Sequence, residues 1–164
     1  MTTAAAGPVV IGFDGSPAAE RAIRESAPLL HDYPALVVTV WEAGRAYDLT
    51  TLPIGMLEPP PVALDMRTAA EAEAQQRDLM VHTAQRGAQL ARDAGFTSAT
   101  GLAVAEDTSI ADTLIRVAAE RHSPGLIVGS HGHGRLSEFL LGSTSRSLVD
   151  HAPCPVVVTG PHRP

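Results

Sequence analysis

The chain has 164 residues, 45% of them hydrophobic and 18% charged, with a formal net charge of −6; this is the make-up of a folded soluble protein rather than of a disordered or fibrous one. All twelve basic residues are arginine. That excludes a P-loop lysine, a Schiff-base lysine and a lysine general base, and with 4% aromatics and an acidic balance it argues against a nucleic-acid surface.

No stretch approaches the ~18 apolar residues of a membrane span, and the opening MTTAAAG lacks the layout of a signal peptide. The single cysteine, Cys154, rules out an intrachain disulfide and fits a reducing compartment. A cytoplasmic protein without membrane or nucleic-acid partners is expected, with one domain over 1–164 and a core of about 8–159. A chain of this length buries roughly 70% of its unfolded surface.

In chain order, PVVIGFD (8–14) is a β-branched run ending in turn residues and predicts a strand. A helix follows, with Ser16 as N-cap, Pro17 in its first position, and Ala19, Ile23 and Leu30 on its buried face; Pro28 predicts a kink or an early end. ALVVTVWE (35–42) is apolar almost throughout, as in a strand covered on both faces. Residues 43–64 hold four prolines and two glycines and are expected to form a long irregular connection.

From Asp65 to Ala94 the composition predicts a helix with Leu79, Thr83, Leu90 and Ala94 along one face, Gly95 as its stop and Phe96 packing behind it. Trp41 and Met80 are expected in or near the core. ATGLAVAE (99–106) predicts a third strand. The next helix carries Ile110, Leu114 and Val117 on one stripe, and Ser109 and Asp112 have capping-box spacing. GLIVGS (125–130), a short helix in TSRSLVDHA, and CPVVVTG (154–160) complete the pattern, with Cys154 as a structural thiol.

Strand and helix alternate without internal repeat, which predicts parallel crossovers: an α/β, doubly wound five-stranded parallel sheet, order 3-2-1-4-5, with helices on both faces. Ligands of such sheets sit where the strand order reverses, beyond the C-terminal ends of strands 1 and 4. Two stretches meet there: Phe13, Asp14, Gly15 and Ser16 after strand 1, and Val128 to Arg135 after strand 4. In the second, Gly129 and Gly132 let backbone approach a ligand, and Gly142, Ser143 and Thr144, followed by Ser145, open the last helix. The pattern Gly-x2-Gly-x9-Gly-Ser-Thr describes a phosphate grip built from amides and hydroxyls at a helix start. Leu136, Phe139 and Leu140 are spaced to fold the intervening loop down.

His131 and His133 suggest a metal pair, but no neighbouring cluster supplies further ligands at suitable spacing. They read instead as loop residues near phosphate, with His133 and Arg135 as candidate donors. No Gly-x-Gly-x-x-Gly follows the first strand, so a dinucleotide site is poorly supported.

GSHGHGRLSEFLLGSTS with HAPCPVVV, together with VVIGFDGSPAAERAI, resembles the universal stress protein family over about residues 8–159. The resemblance implies a Rossmann-like fold of the adenine nucleotide alpha hydrolase type that binds ATP (or ADP or AMP) with Mg²⁺, and a homodimer paired through the last strand, 154–160. It implies that Asp14 lies beside the nucleotide, that Val40 lies beside adenine, and that Gly129, Gly132, Gly142, Ser143 and Thr144 surround ribose and phosphates; the place of Asp14 beside the phosphate loop favours a ligand or Mg²⁺ role over that of a turn residue alone. Phe13, Gly15, Ser16, Val128, Ser130, His133, Gly134, Arg135 and Ser145 complete the candidate site. A regulatory binding role in stress response is expected; slow Mg²⁺-dependent ATP hydrolysis or autophosphorylation, and a site for AMP, a cyclic nucleotide or flavin, are the alternatives.

Overall fold

The structure, a computed structural model, describes residues 7–42, 62–130 and 142–160. Five parallel strands, β1 (Val9–Gly12), β2 (Ala35–Trp41), β3 (Ala99–Ala105), β4 (Leu126–Gly129) and β5 (Val156–Thr159), form one sheet in the order β3-β2-β1-β4-β5. Four helices alternate with them: α1 (Pro17–Leu30), α2 (Val62–Ala94), α3 (Ile110–Glu120) and α4 (Ser143–His151). The expected fold class and strand order are therefore observed.

The alternation of side chains along each strand builds two cores. Val9, Ile11, Val37 and Ile127 pack under α1 and α2, whereas Val10, Leu36, Val38, Leu126 and Val128 pack under α3 and α4. Register fixes which strand ends are level: Gly12 lies opposite Val38, and Ile11 opposite Ile127.

The helix boundaries follow from local chemistry. Ser16 Oγ accepts the Ala19 N–H at 3.2 Å, with Pro17 in the first turn. Ser109 Oγ accepts the Asp112 N–H at 3.1 Å and donates to the Asp112 carboxylate at 2.7 Å, so the box closes on the hydroxyl. At the end of α2 the Phe96 N–H bonds Ala91 O and the Gly95 N–H bonds Arg92 O, with Gly95 at φ +111° and Phe96 buried. This is the left-handed glycine stop read from the sequence. Pro28 sits within α1, which runs two residues past it to Leu30.

Two readings of α2 need correction. It begins at Val62, so residues 62–64 are helical rather than part of the irregular connection; the sequence puts Pro61 just before, and a proline suits a helix entry. Its buried face is Ala84, Gly87, Ala88 and Ala91, while Leu79 is 60% exposed and Leu90 and Ala94 are half-buried. Close approach is the cause. A Cβ on Gly101 of β3 would lie 2.6 Å from the backbone of Ala84, so helix and strand touch through their main chains and only small residues fit the seam. Gly101→Ala should consequently cost about 1–3 kcal/mol of stability, read as a lower urea midpoint at unchanged m-value.

Candidate functional site

β1 and β4 are neighbours, but β1 feeds α1 on one face and β4 leads to α4 on the other. The sheet therefore splits at its C-terminal crest. The opening is a cleft of about 410 Å³.

On the β1 side, Asp14 Oδ1 accepts the Ser16 N–H at 2.9 Å, closing a turn over Gly15. Gly15 has φ +79°, a conformation that favours glycine. Buried Thr39 donates its hydroxyl to Phe13 O at 2.8 Å, and the Phe13 N–H donates to Val38 O at 2.9 Å. The ladder between β1 and β2 ends with the pair Gly12–Val38. Val40, two residues further on the same side of β2, thus presents its main-chain edge to the cleft where β1 has already turned away.

On the β4 side, the Gly142 N–H donates to Ser130 O at 3.1 Å and the Ser130 N–H to Thr159 O at 2.9 Å. These bonds bring the start of α4 against the end of β4. The first internal bond of α4 runs from the Arg146 N–H to Gly142 O, and Gly142 supplies no side-chain cap. The amides of Ser143, Thr144 and Ser145 thus lie in the helix's open first turn, with its dipole directed at the cleft. Ser145 is buried and its hydroxyl donates to Gly129 O at 3.0 Å, so that hydroxyl serves the scaffold. Gly129 has a similar role: a Cβ there would meet the Ala18 backbone at 2.9 Å, which makes this glycine a requirement of α1 packing.

The far wall is apolar. Val38, Val40, Leu114 and Val128 line it, with Ile110 at its rim. Ile110, expected on the buried stripe of α3, is 41% exposed because it occupies the first turn of that helix, at the crest. The loop before it is pinned by Arg116 Nε to Asp107 Oδ2 at 2.6 Å and by the Asp107 N–H to Thr113 Oγ1 at 3.0 Å.

Of the candidate residues, Phe13, Asp14, Ser16, Val40, Val128, Gly129, Ser130, Gly142, Ser143, Thr144 and Ser145 line this one cleft. Gly15 does not; it shapes the turn, and its carbonyl faces Arg86 of α2. His131, Gly132, His133, Gly134, Arg135, Leu136, Phe139 and Leu140 lie outside the described residues, as does most of 43–64. Sequence reasoning missed Gly12, Ala19, Val38, Ile110 and Leu114 as lining residues and Thr39 as a support. For Val38 a signal existed, its spacing of two from Val40. Cys154 is partly buried against the α3/α4 core, and burial pushes its thiol up from the ordinary value, away from nucleophilic use. Among the described residues no group of three or more His, Cys, Asp or Glu could hold a metal, and no helix is long and apolar enough to cross a membrane.

A family model described as the universal stress protein family matches residues 6–160. A universal stress protein of Mycolicibacterium smegmatis is 30% identical over 161 residues, covering 92% of this chain and 47% of its own length. This chain thus spans about half of that relative. Among solved structures, the universal stress protein from Archaeoglobus fulgidus in complex with dAMP superposes with a TM-score of 0.55 at 21% identity, over 93% of this chain and 96% of its own. A universal stress protein in complex with cAMP gives 0.62 at 20%, over 95% and 98%. A family protein from Arabidopsis thaliana with AMP bound gives 0.55 at 16%, over 93% and 90%. At these identities the likeness is one of fold.

Replacing Thr39 by Val removes the only polar atom of a buried side chain and leaves the Phe13 carbonyl short of a donor. The expected loss is about 1–3 kcal/mol in thermal or chemical unfolding, with Thr39→Ser retaining most of the stability.

Proposed function

This chain belongs to the universal stress protein family, and from that premise we propose that it is an adenine-nucleotide-binding regulatory module, with ATP and Mg²⁺ as its ligands and stress response as its setting. The observation that carries this reading is the convergence of the uncapped first turn of α4 and the Asp14–Ser16 turn on one cleft whose opposite wall is apolar. A planar base suits the wall of Val38, Val40, Leu114 and Val128, and the amides of Ser143, Thr144 and Ser145 suit phosphate oxygens. The main-chain edge of Val40 offers an N–H and a C=O side by side, complementary to an acceptor nitrogen and the amino group on adenine's edge. The nucleotides named for the dAMP, cAMP and AMP complexes support the same ligand class.

Asp14 is the acidic side chain among the described lining residues, so the residues fit a Mg²⁺ that arrives on the phosphates and takes one carboxylate plus water. When bound, Mg²⁺ would neutralise phosphate charge at that end of the cleft. The chain's own residues supply the rest: amides orient the phosphates, and the apolar wall excludes water from the base. The chain has no lysine to clamp a transferring phosphate, which favours binding over turnover. Regulation then follows from linkage. A ligand at a hundredfold excess over Kd stabilises the bound conformation by about 2.7 kcal/mol.

A homodimer through the last strand completes the proposal. β5 is one of the two outer strands, its Val156, Val157 and Val158 are only partly buried, and pairing with a second copy would cover that edge.

Mass spectrometry of the small molecule released from purified protein should find an adenine nucleotide, and calorimetry should detect AMP and Mg²⁺–ATP binding but no steady ADP release. In Gly142→Ala the new Cβ meets Ser130 O at 3.3 Å, at the junction that brings α4 to the crest; affinity should drop about thirtyfold, near 2 kcal/mol. Undiminished binding by that variant would remove the cradle assignment. Sedimentation should show a dimer that Val157→Asp converts to monomer.

A further inference from the structure

We propose that Arg86, which lies on α2 outside the cleft, is a positioning residue for the nucleotide site: it holds the Phe13–Ser16 turn in its binding shape before ligand arrives. The proposal rests on the adenine-nucleotide reading above. Three contacts converge on this side chain. Nη2 donates to Gly15 O at 3.1 Å, the guanidinium stands over the Phe13 ring at 5.7 Å from its centroid, and the same nitrogen is 3.8 Å from Glu20 Oε1 on α1.

The turn needs such a hold. Gly15, at φ +79°, has more backbone freedom to lose than any other residue type. The two ends of the turn are anchored, Phe13 to β2 by Val38 O and Thr39 Oγ1 and Ser16 to α1 by the Ala19 N–H, and between them the Asp14–Ser16 hydrogen bond closes the turn locally. Arg86 ties it to α2 from the outside, pressed so close that a Gly15 Cβ would lie 3.0 Å from Nη2. A guanidinium can donate to a carbonyl, lie over a ring and face a carboxylate at once because its donors form a rigid planar fork.

Arg86 is 60% exposed, so its ion pair with Glu20 adds little to folding. Its effect falls on the turn. Without it the turn samples more conformations in the free protein, and the nucleotide must order it on binding, which transfers the entropy cost into Kd. An exposed arginine on the second long helix thereby sets the affinity of a site it does not touch.

The test is calorimetric titration of the full chain with AMP and with Mg²⁺–ATP, alongside amide exchange of the free protein. Arg86→Ala and Arg86→Met should weaken both ligands about tenfold. Arg86→Lys, which still donates to Gly15 O, should recover most of the loss, and Glu20→Gln should bind nearly as the parent does. Exchange at Gly15 and Ser16 should quicken in Arg86→Ala, with the unfolding midpoint almost unchanged. Equal binding by parent and Arg86→Ala would overturn the positioning role while leaving the nucleotide reading intact. So would equal losses in Arg86→Lys and Glu20→Gln, which would mark an ordinary surface ion pair. A parent protein that binds neither ligand overturns the nucleotide reading and this proposal with it.

Discussion

The Gly142 N–H reaches the Ser130 carbonyl across 3.1 Å, and through that bond two stretches twelve positions apart in the chain become one wall. β4 ends in the sheet at Gly129, α4 begins at Ser143, and nothing in helix propensity obliges the two to meet. Once they do, the first turn of α4 cannot be capped by a side chain, because its capping residue is a glycine. Its amides are left directed at the crest. The open amides at the crest are in this sense a by-product of how the last crossover is stitched to the sheet.

The opposite wall depends on a complementary device. Thr39 turns its hydroxyl to the Phe13 carbonyl, and β1 leaves the sheet just beyond. β2 continues to Trp41, so its last residues stand beside open space on one side and β3 on the other. A strand that outlasts its neighbour offers main-chain donors and acceptors without the aggregation hazard of a true sheet edge, because residues of α3 and α4 line the cleft beside it.

Close approach is the price of this arrangement, and glycines and alanines are where it is visible. Gly129 yields to Ala18, Gly101 to Ala84, and Gly87 to Phe13 and Val37. The seam between α2 and the sheet is made of small residues, while Leu79 stands in solvent. Packing at main-chain distance brings α2 near enough for Arg86 to touch the turn after β1. The long helix thus joins the site's surroundings although none of its described residues lines the cleft.

Strand order, the caps at Ser16 and Ser109, and the stop at Gly95 and Phe96 could all be read from the chain, because each depends on residues near one another or on the handedness of parallel crossovers. So could the meeting of the Asp14 and Gly142 regions, since reversal of strand order dictates where two loops converge. Hydrophobicity misjudged the face of α2 and the exposure of Ile110, for it ranks residues by size of apolar surface while the fold selected them by the gap to be filled. The scaffold roles of Thr39, Ser145, Gly129 and Arg86 belong to tertiary structure alone: each joins positions between 16 and 111 residues apart, and no local pattern records such a contact.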